Sequence, residues 1–400
     1  LPPAIVLGGD SNALSVARSL GRQGIPVYAI GYDPHLRFSR YCRWIHVPFH
    51  HSDEATWSDY LLGPESDGLR GSVLLACSDG ALATIARHRE VLAEKFLLDE
   101  SHVPAQLCML NKLSTYRAAV EAGVPAPRFW EIGCAADLQR HRADLAFPLL
   151  VKPLFSHHFG SIGGKFLVAR SFDELAAAYA RTQDARIEVL LLELIPGPDS
   201  RLCSYYTYLD AEGRPRFDFT KRIIRRFPVN MGNACYHITD RVPEVRELSL
   251  QLLQHVGLRG LACVEFKRDP RDDRLKLIEC NARFTAANNL VAAAGFDLAR
   301  FVYNRRVGLP PPPMEHYACG MRLWYPREDF RSFRVLHERG ELSWWGWLRS
   351  IAHRQRLPFF SWSDPLPSLG TAALESKWLT ALGRPLFRWA QTVRRLLGKA

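Results

Sequence analysis

The stretch at residues 260–284, GLACVEFKRDPRDDRLKLIECNARF, leaves few choices of structure. Two apolar runs flank the polar residues 269–274, a pattern that predicts an antiparallel hairpin. Glu265 lies on the first strand; Glu279 ends the second, with Asn281 two residues on. Period-2 alternation puts Glu279 and Asn281 on one face, where a paired strand brings Glu265 beside them. Three oxygen donors then converge, the donor type that Mg²⁺ prefers. An edge hairpin with solvated acids is the competing reading. Against it, Glu279 follows the apolar run Leu275-Lys276-Leu277-Ile278 and precedes Cys280, so it is expected to point inward. A buried carboxylate without a partner is costly, and a cation is the simplest partner.

The first 95 residues alternate short apolar runs with amphipathic ones. Strands at 4–7, 27–30 and 72–76 and helices at 13–23 and 81–88 make βαβ units, hence a parallel sheet. The turn Gly8-Gly9-Asp10-Ser11-Asn12 does not supply Gly-x-Gly-x-x-Gly, which argues against dinucleotide binding. Asp79, after the third strand, sits where such sheets place ligands, or else caps the following helix. A helix at 111–122 ends at Gly123 and runs into Val-Pro-Ala-Pro, which is extended because proline excludes the helical region for its predecessor. Strands then follow at 128–132, 148–152, 165–168, 188–193, 202–208 and 215–224. Helices are expected at 135–142, 172–181, 243–256 and 298–307, and the prolines at 310–313 form a stiff linker.

Residues 147–165, FPLLVKPLFSHHFGSIGGK, carry an apolar strand to Lys152 and then a loop with Gly163 and Gly164 that returns at Lys165. Glycine amides can close over an anion, and the two lysines bracket the loop, which suits a phosphate lid. An ordinary glycine hairpin with exposed lysines is the alternative; His157 and His158 are loop residues. In residues 189–201, VLLLELIPGPDSR, a strand runs into a Pro-Gly-Pro turn whose free backbone groups can read an adenine edge, with Asp199 placed to accept ribose hydroxyls. Lys221, Arg222, Arg225 and Arg226 form a basic run on a strand and the loop after it. Alternation sends one or two of them inward, and Lys221 is taken as the active one.

In this order, these pieces resemble the ATP-grasp superfamily of carboxylate–amine ligases over residues 4–310. Within it, the opening run Ile5-Val6-Leu7-Gly8-Gly9-Asp10-Ser11-Asn12-Ala13-Leu14 is similar to a branch of carboxylate–amine ligases. D-aspartate ligase-like proteins resemble it too, through Ile195-Pro196-Gly197-Pro198-Asp199-Ser200 and Met231-Gly232-Asn233. The resemblance implies ATP and Mg²⁺ or Mn²⁺, with Lys112 and Lys152 on the phosphates and Gly163, Gly164 and Lys165 in the lid. It implies Glu193, Leu194 and Ile195 as adenine hinge and Asp199 on the ribose. Glu265, Glu279 and Asn281 would hold the metal, and Arg283 would complete Glu-x-Asn-x-Arg as a catalytic residue beside Lys221. Ala282 stands where proline is common, a departure that leaves the ligating side chains intact. The implied fold is α/β and α+β, in four parts. These are an N-terminal pre-ATP-grasp domain (1–110), a lid subdomain (111–198), a metal and phosphate subdomain (199–314) and a basic, Trp-rich helical extension (315–400).

The implied activity is ADP-forming ligation of an amino acid or small-metabolite carboxylate to an amine through an acyl phosphate. The extension raises a different question. It holds 14 Lys/Arg against 7 Asp/Glu and seven of the ten Trp, so most of the formal +11 lies outside the ligase-like body. Its segments around 344–356 and 387–399 read as basic amphipathic helices suited to anionic lipid, making a peripheral membrane or regulatory ATP-binding module the alternative function. Packing of the Trp onto the body, with Arg facing water, is the preferred reading. A nucleic-acid partner is not expected, for no interleaved aromatic-basic sheet motif is present. Nine Cys, an odd number with no Cys-x-x-Cys, point to reduced thiols and a cytoplasmic protein.

Overall fold

Ala4–Leu7 is buried along its whole length, as a parallel strand covered on both faces must be. It is the centre of the first of three sheets in the structure, a computed structural model that describes residues 1–48, 53–156 and 164–375. The first sheet joins β1 (Ala4–Leu7), β2 (Val27–Gly31), β3 (Arg43–His46), β4 (Val73–Ala76) and β5 (Leu97–Leu98), all parallel, in the order β3-β2-β1-β4-β5. The second is antiparallel and joins β6 (Phe129–Glu131), β7 (Leu149–Pro153), β8 (Leu167–Ala169) and β9 (Val189–Glu193) in the order β6-β9-β7-β8. The third has seven strands: β10 (Leu202–Leu209), β11 (Phe219–Phe227), β12 (Asn233–Thr239), β13 (Gly260–Arg268), β14 (Leu275–Asn281), β15 (Arg322–Trp324) and β16 (Gln355–Arg356). Its order is β14-β13-β10-β11-β12-β15-β16.

The first and third sheets share one apolar core. Val6, Ala17 and Leu20 belong to the same buried cluster as Tyr206, Phe219, Phe284 and Val302. The second sheet divides its side chains by alternation. Leu149, Val151, Val189 and Leu191 pack against the helices Ala135–His141 and Phe172–Asp184, whereas Leu150, Leu190 and Leu192 face a cluster that includes Tyr116, Val264 and Leu277. Lys152, next but one to Leu150, therefore points to the same side as the third sheet.

Several boundaries differ from expectation. β8 opens at Leu167, two residues after Lys165, and β11 begins at Phe219, because residues 210–214 turn at Gly213 with φ 78° and leave only a bridge at Pro215. That shift puts all four residues of the basic run on β11 itself. The helix after β4 is capped by Ser78, whose Oγ accepts from the Ala81 amide, so Asp79 is its first residue and not its cap.

The extension is not a separate appended module. β15 pairs with β12 and β16 with β15, so the third sheet runs across the expected boundary at 314/315. Asp329, on the helix Pro326–Glu338, is fully buried and accepts from Arg225 Nε at 2.6 Å, Arg225 Nη2 at 3.0 Å and Trp347 Nε1 at 3.0 Å. Farther on, Asp364 accepts from Arg18 Nε at 2.9 Å and from Ser39 Oγ at 2.8 Å, which ties the extension to the first helix of the chain, Ser11–Arg22. Trp347 is buried by this docking, as preferred from sequence, but Trp345 and Trp362 remain 81% and 90% exposed. The expected amphipathic stretch at 387–399 lies outside the described residues.

Removing one partner of a buried ion pair strands the other charge, which typically costs about 3–5 kcal/mol. Asp329→Ala is therefore expected to lower unfolding free energy by about that amount, read as a fall in the urea midpoint at unchanged m-value.

Candidate active site

Register across the third sheet builds a row of polar side chains on one face. Glu279 of β14 opposes Glu265 of β13, Glu265 opposes Ser204 of β10, Ser204 opposes Lys221 of β11, and Lys221 opposes Thr239 of β12. Directly opposed residues share a face, so two acids and one lysine lie along a single line. Lys221 is 1% exposed and its Nζ donates to Ser204 Oγ at 3.0 Å. The other three basic residues are spoken for. Arg222 pairs with Asp240 at the surface, Arg225 with Asp329, and Arg226 with Asp199.

A bulge sets the two acids opposite each other. Glu265 pairs with Glu279 but Phe266 pairs with Leu277, so Ile278 is the extra residue on β14. Its carbonyl accepts the Tyr116 hydroxyl at 2.7 Å. Burial raises the Glu265 carboxyl above its ordinary range, with Lys221 opposing and Glu279 reinforcing the shift. Burial acts the same way on Glu279, but Lys165, Lys152 and Lys112 outweigh it and hold that carboxyl below the ordinary range. The Asn281 amide sits between neighbours, with Nδ2 donating to Glu279 Oε1 at 3.2 Å and Oδ1 accepting from Arg283 Nη2 at 3.0 Å. Arg283 Nε in turn donates to Asp79 Oδ1 at 2.5 Å, so the carboxyl end of the first sheet orients this arginine. From the same end, Asn12 Nδ2 donates to the carbonyls of Cys77 and Phe284, at 2.6 and 2.9 Å.

Two cavities meet at Ile278. One, of about 350 Å³, is bordered by Asp79, Lys112, Ser156, Glu279 and Asn281. The other, of about 460 Å³, is lined by Leu150, Lys152, Phe166, Ile195, Lys267 and Ile278. Lys112 Nζ donates to Ser156 Oγ at 2.9 Å, and burial lowers its pKa. Lys152 is buried, and burial together with the neighbouring Lys112 pushes its ammonium down to about 8. An apolar slot with lysines at one end and a polar cavity beyond can take a planar base and its polyphosphate.

Glu193, Leu194 and Ile195 all line the larger cavity. The Glu193 carboxylate is occupied, accepting from Arg271 Nη1 at 2.6 Å and from the Arg128 amide at 3.0 Å, which leaves the hinge its backbone groups. Asp199 is likewise not presented as a ribose acceptor. It is 6% exposed, Oδ1 accepts from Arg226 Nε at 2.7 Å, and Oδ2 accepts from the amides of Arg226 and Asn230 at 3.0 and 3.2 Å. Lys165 is exposed, and its Nζ donates to Asn233 Oδ1. Gly164 precedes it in the described chain, while Gly163, His157 and His158 lie outside the described residues.

Lys267 was missed. Its Nζ donates to the carbonyls of Ile195 and Gly197, at 3.0 and 2.8 Å, and so fixes the turn that follows the hinge strand. Burial, with Arg226 nearby, pushes it down to about 8. The available signal was alternation, since Lys267 stands two residues beyond Glu265 on the same strand.

Among the described residues no three His, Cys, Asp or Glu side chains gather at one place. A cation would rest on two carboxylates and one amide oxygen, a hard-oxygen set that suits Mg²⁺ or Mn²⁺ and leaves positions for phosphate and water.

No family model matches the chain. It is 25% identical over 362 residues to the D-aspartate ligase of Enterococcus faecium, covering 85% of this chain and 86% of that protein. It is similar in fold to the biotin carboxylase of Campylobacter jejuni in its β-γ-ATP complex, with a TM-score of 0.62 at 13% identity over 80% of this chain and 74% of that one. The L-amino acid ligase of Bacillus licheniformis superposes with a TM-score of 0.54 at 16% identity, over 77% of this chain and 74% of that one.

Two outcomes are expected. A polyphosphate beside Lys152 favours its charged form, so nucleotide binding should take up protons near pH 8, where the ligand-free amine is half neutral, and take up almost none below about pH 6.5. Calorimetry of ADP binding in buffers of different ionisation enthalpy measures this. Lys267→Met leaves the buried Ile195 carbonyl and the half-buried Gly197 carbonyl without their donor, a loss of about 1–3 kcal/mol, and should weaken nucleotide binding roughly tenfold in the same titration.

Proposed function

We propose that the chain is an ATP-grasp protein, an ATP-dependent carboxylate–amine ligase acting on an amino acid or similar small carboxylate. The observation that carries this reading is the row Glu279–Glu265–Ser204–Lys221, with Arg283 at one end and Lys112 and Lys152 above it. Acids for a cation, lysines for phosphates, and a lysine at one end of the row with an arginine at the other suit transfer of a phosphoryl group to a carboxylate. The likeness to D-aspartate ligase along 85% of the chain supports an amino-acid substrate.

In this mechanism the base enters the apolar slot between Leu150, Phe166 and Ile278 and reads the backbone at Leu194 and Ile195. Lys112 and Lys152 hold the α and β phosphates. A divalent cation held by Glu265, Glu279 and Asn281 would supply positive charge against the phosphate oxygens. The substrate carboxylate oxygen attacks the γ-phosphorus; the new O–P bond forms as the bond to the β-phosphate oxygen breaks, giving an acyl phosphate and ADP. Lys221 and Arg283 face the transferred group and offset its charge. The amine then attacks the acyl carbon, the C–O bond breaks, phosphate leaves and the amine's proton is lost. Catalysis is positioning and charge stabilisation. No cysteine is recruited: Cys263, opposite Asn281, is buried, and burial raises its thiol far from the thiolate range.

Glu279→Gln is expected to reduce acceptor-dependent ADP release at least about 100-fold, and unchanged turnover would refute the metal assignment. Lys221→Met should lower kcat by a similar factor with little change in KM for ATP. Hydroxylamine added in place of the amine should yield a hydroxamate of the substrate acid; ADP release with no hydroxamate argues against the acyl phosphate.

A further inference from the structure

Among the described residues, seven of the thirteen exposed large apolar side chains fall in the extension. On the helix Trp344–Ile351, Trp347 turns inward to Asp329, which leaves Trp345 and Leu348, one turn apart, on the outer face at 81% and 42% exposure. Trp344 flanks them at 48%. A second group follows at spacings of four and three: Trp362, Leu366 and Leu369, at 90%, 52% and 58%. Arg349 on the same helix and Arg354 and Arg356 on the segment that follows it are exposed, and among the described residues none of the three has an acidic partner within ion-pair distance. The chain then continues through residues 376–400, which contain six Lys/Arg, no Asp or Glu, and two further Trp.

We propose that the outer face of the helix Trp344–Ile351, with Arg349, Arg354 and Arg356, docks on the surface of an anionic lipid bilayer. Indole rings favour the zone between headgroup and acyl chain, and guanidinium groups pair with lipid phosphates. An eight-residue helix is too short to span a bilayer, and none of the described helices is long and apolar enough to do so, so the contact lies in the plane of the interface. Charge selects lipid over the chain's own end as the occupant: residues 376–400 are cationic and would be repelled by the same three arginines, whereas an anionic surface attracts both. None of these side chains lines either cavity, so the surface is independent of the ligase chemistry.

The test is co-sedimentation of the full chain with vesicles of phosphatidylglycerol and phosphatidylcholine, against vesicles of phosphatidylcholine alone, at low and high salt. The protein is expected to pellet with the anionic vesicles at low salt, to be released by high salt, and to show a blue shift of Trp emission on binding. The double variant Trp345→Ser/Leu348→Ser should partition at least about tenfold less while keeping its unfolding midpoint and its ADP-forming rate. The proposal is overturned if the full chain stays in solution with anionic vesicles at low salt. It is equally overturned if the double variant pellets as well as the parent, which would place the lipid contact in residues 376–400 alone.

Discussion

Burial of like and unlike charges along one line of a sheet is the constraint around which this molecule is arranged. Lys221 is fully buried and Glu265 and Glu279 are half-buried along the same line; an isolated buried charge is driven to neutralise, so each depends on the others. The three persist because the β14, β13, β10 and β11 register holds them at fixed spacing and because Lys152 of the second sheet, with Lys112 and Lys165, presses on Glu279.

The remaining elements serve that line in separable ways. The bulge at Ile278 lets Glu265 and Glu279 face each other while its own carbonyl is claimed by Tyr116, so the bend is held from outside the hairpin. The turn after β9 is stiffened by Lys267, a lysine used as a donor to backbone and not as a phosphate ligand. The first sheet reaches the same loop through Asp79 on Arg283 and Asn12 on Phe284. A displacement of that sheet would therefore be felt at the arginine before it was felt at Glu265 and Glu279.

The hairpin at 260–284 was legible because its turn is polar, its flanks apolar and its acids regularly spaced. The order of the βαβ segments was legible for the same reason of period. What alternation does not reveal is which partner a charged group finds. Asp199 has the right chemistry for a ribose, yet Arg226, 27 residues away in sequence, takes it, and nothing local announces that choice. β12 escaped notice because Asn233–Thr239 buries a Tyr and a His among small residues and shows no clean alternation. The extension looked detachable by composition, while the two acids that dock it, Asp329 and Asp364, are ordinary in sequence and decisive only beside Arg225 and Arg18.

The placement of β15 and β16 has a bearing on how the protein behaves in a crowded solution. Without them the third sheet would finish at β12, seven residues long, with a row of backbone amides and carbonyls open to any passing strand. Such an edge is a template for polymerisation, and short, charged terminal strands are a common remedy. Here the sheet finishes instead in the two residues Gln355–Arg356, too short to recruit a partner and ending in a cation. The extension thus terminates this edge of the sheet in a strand too short to serve as a template.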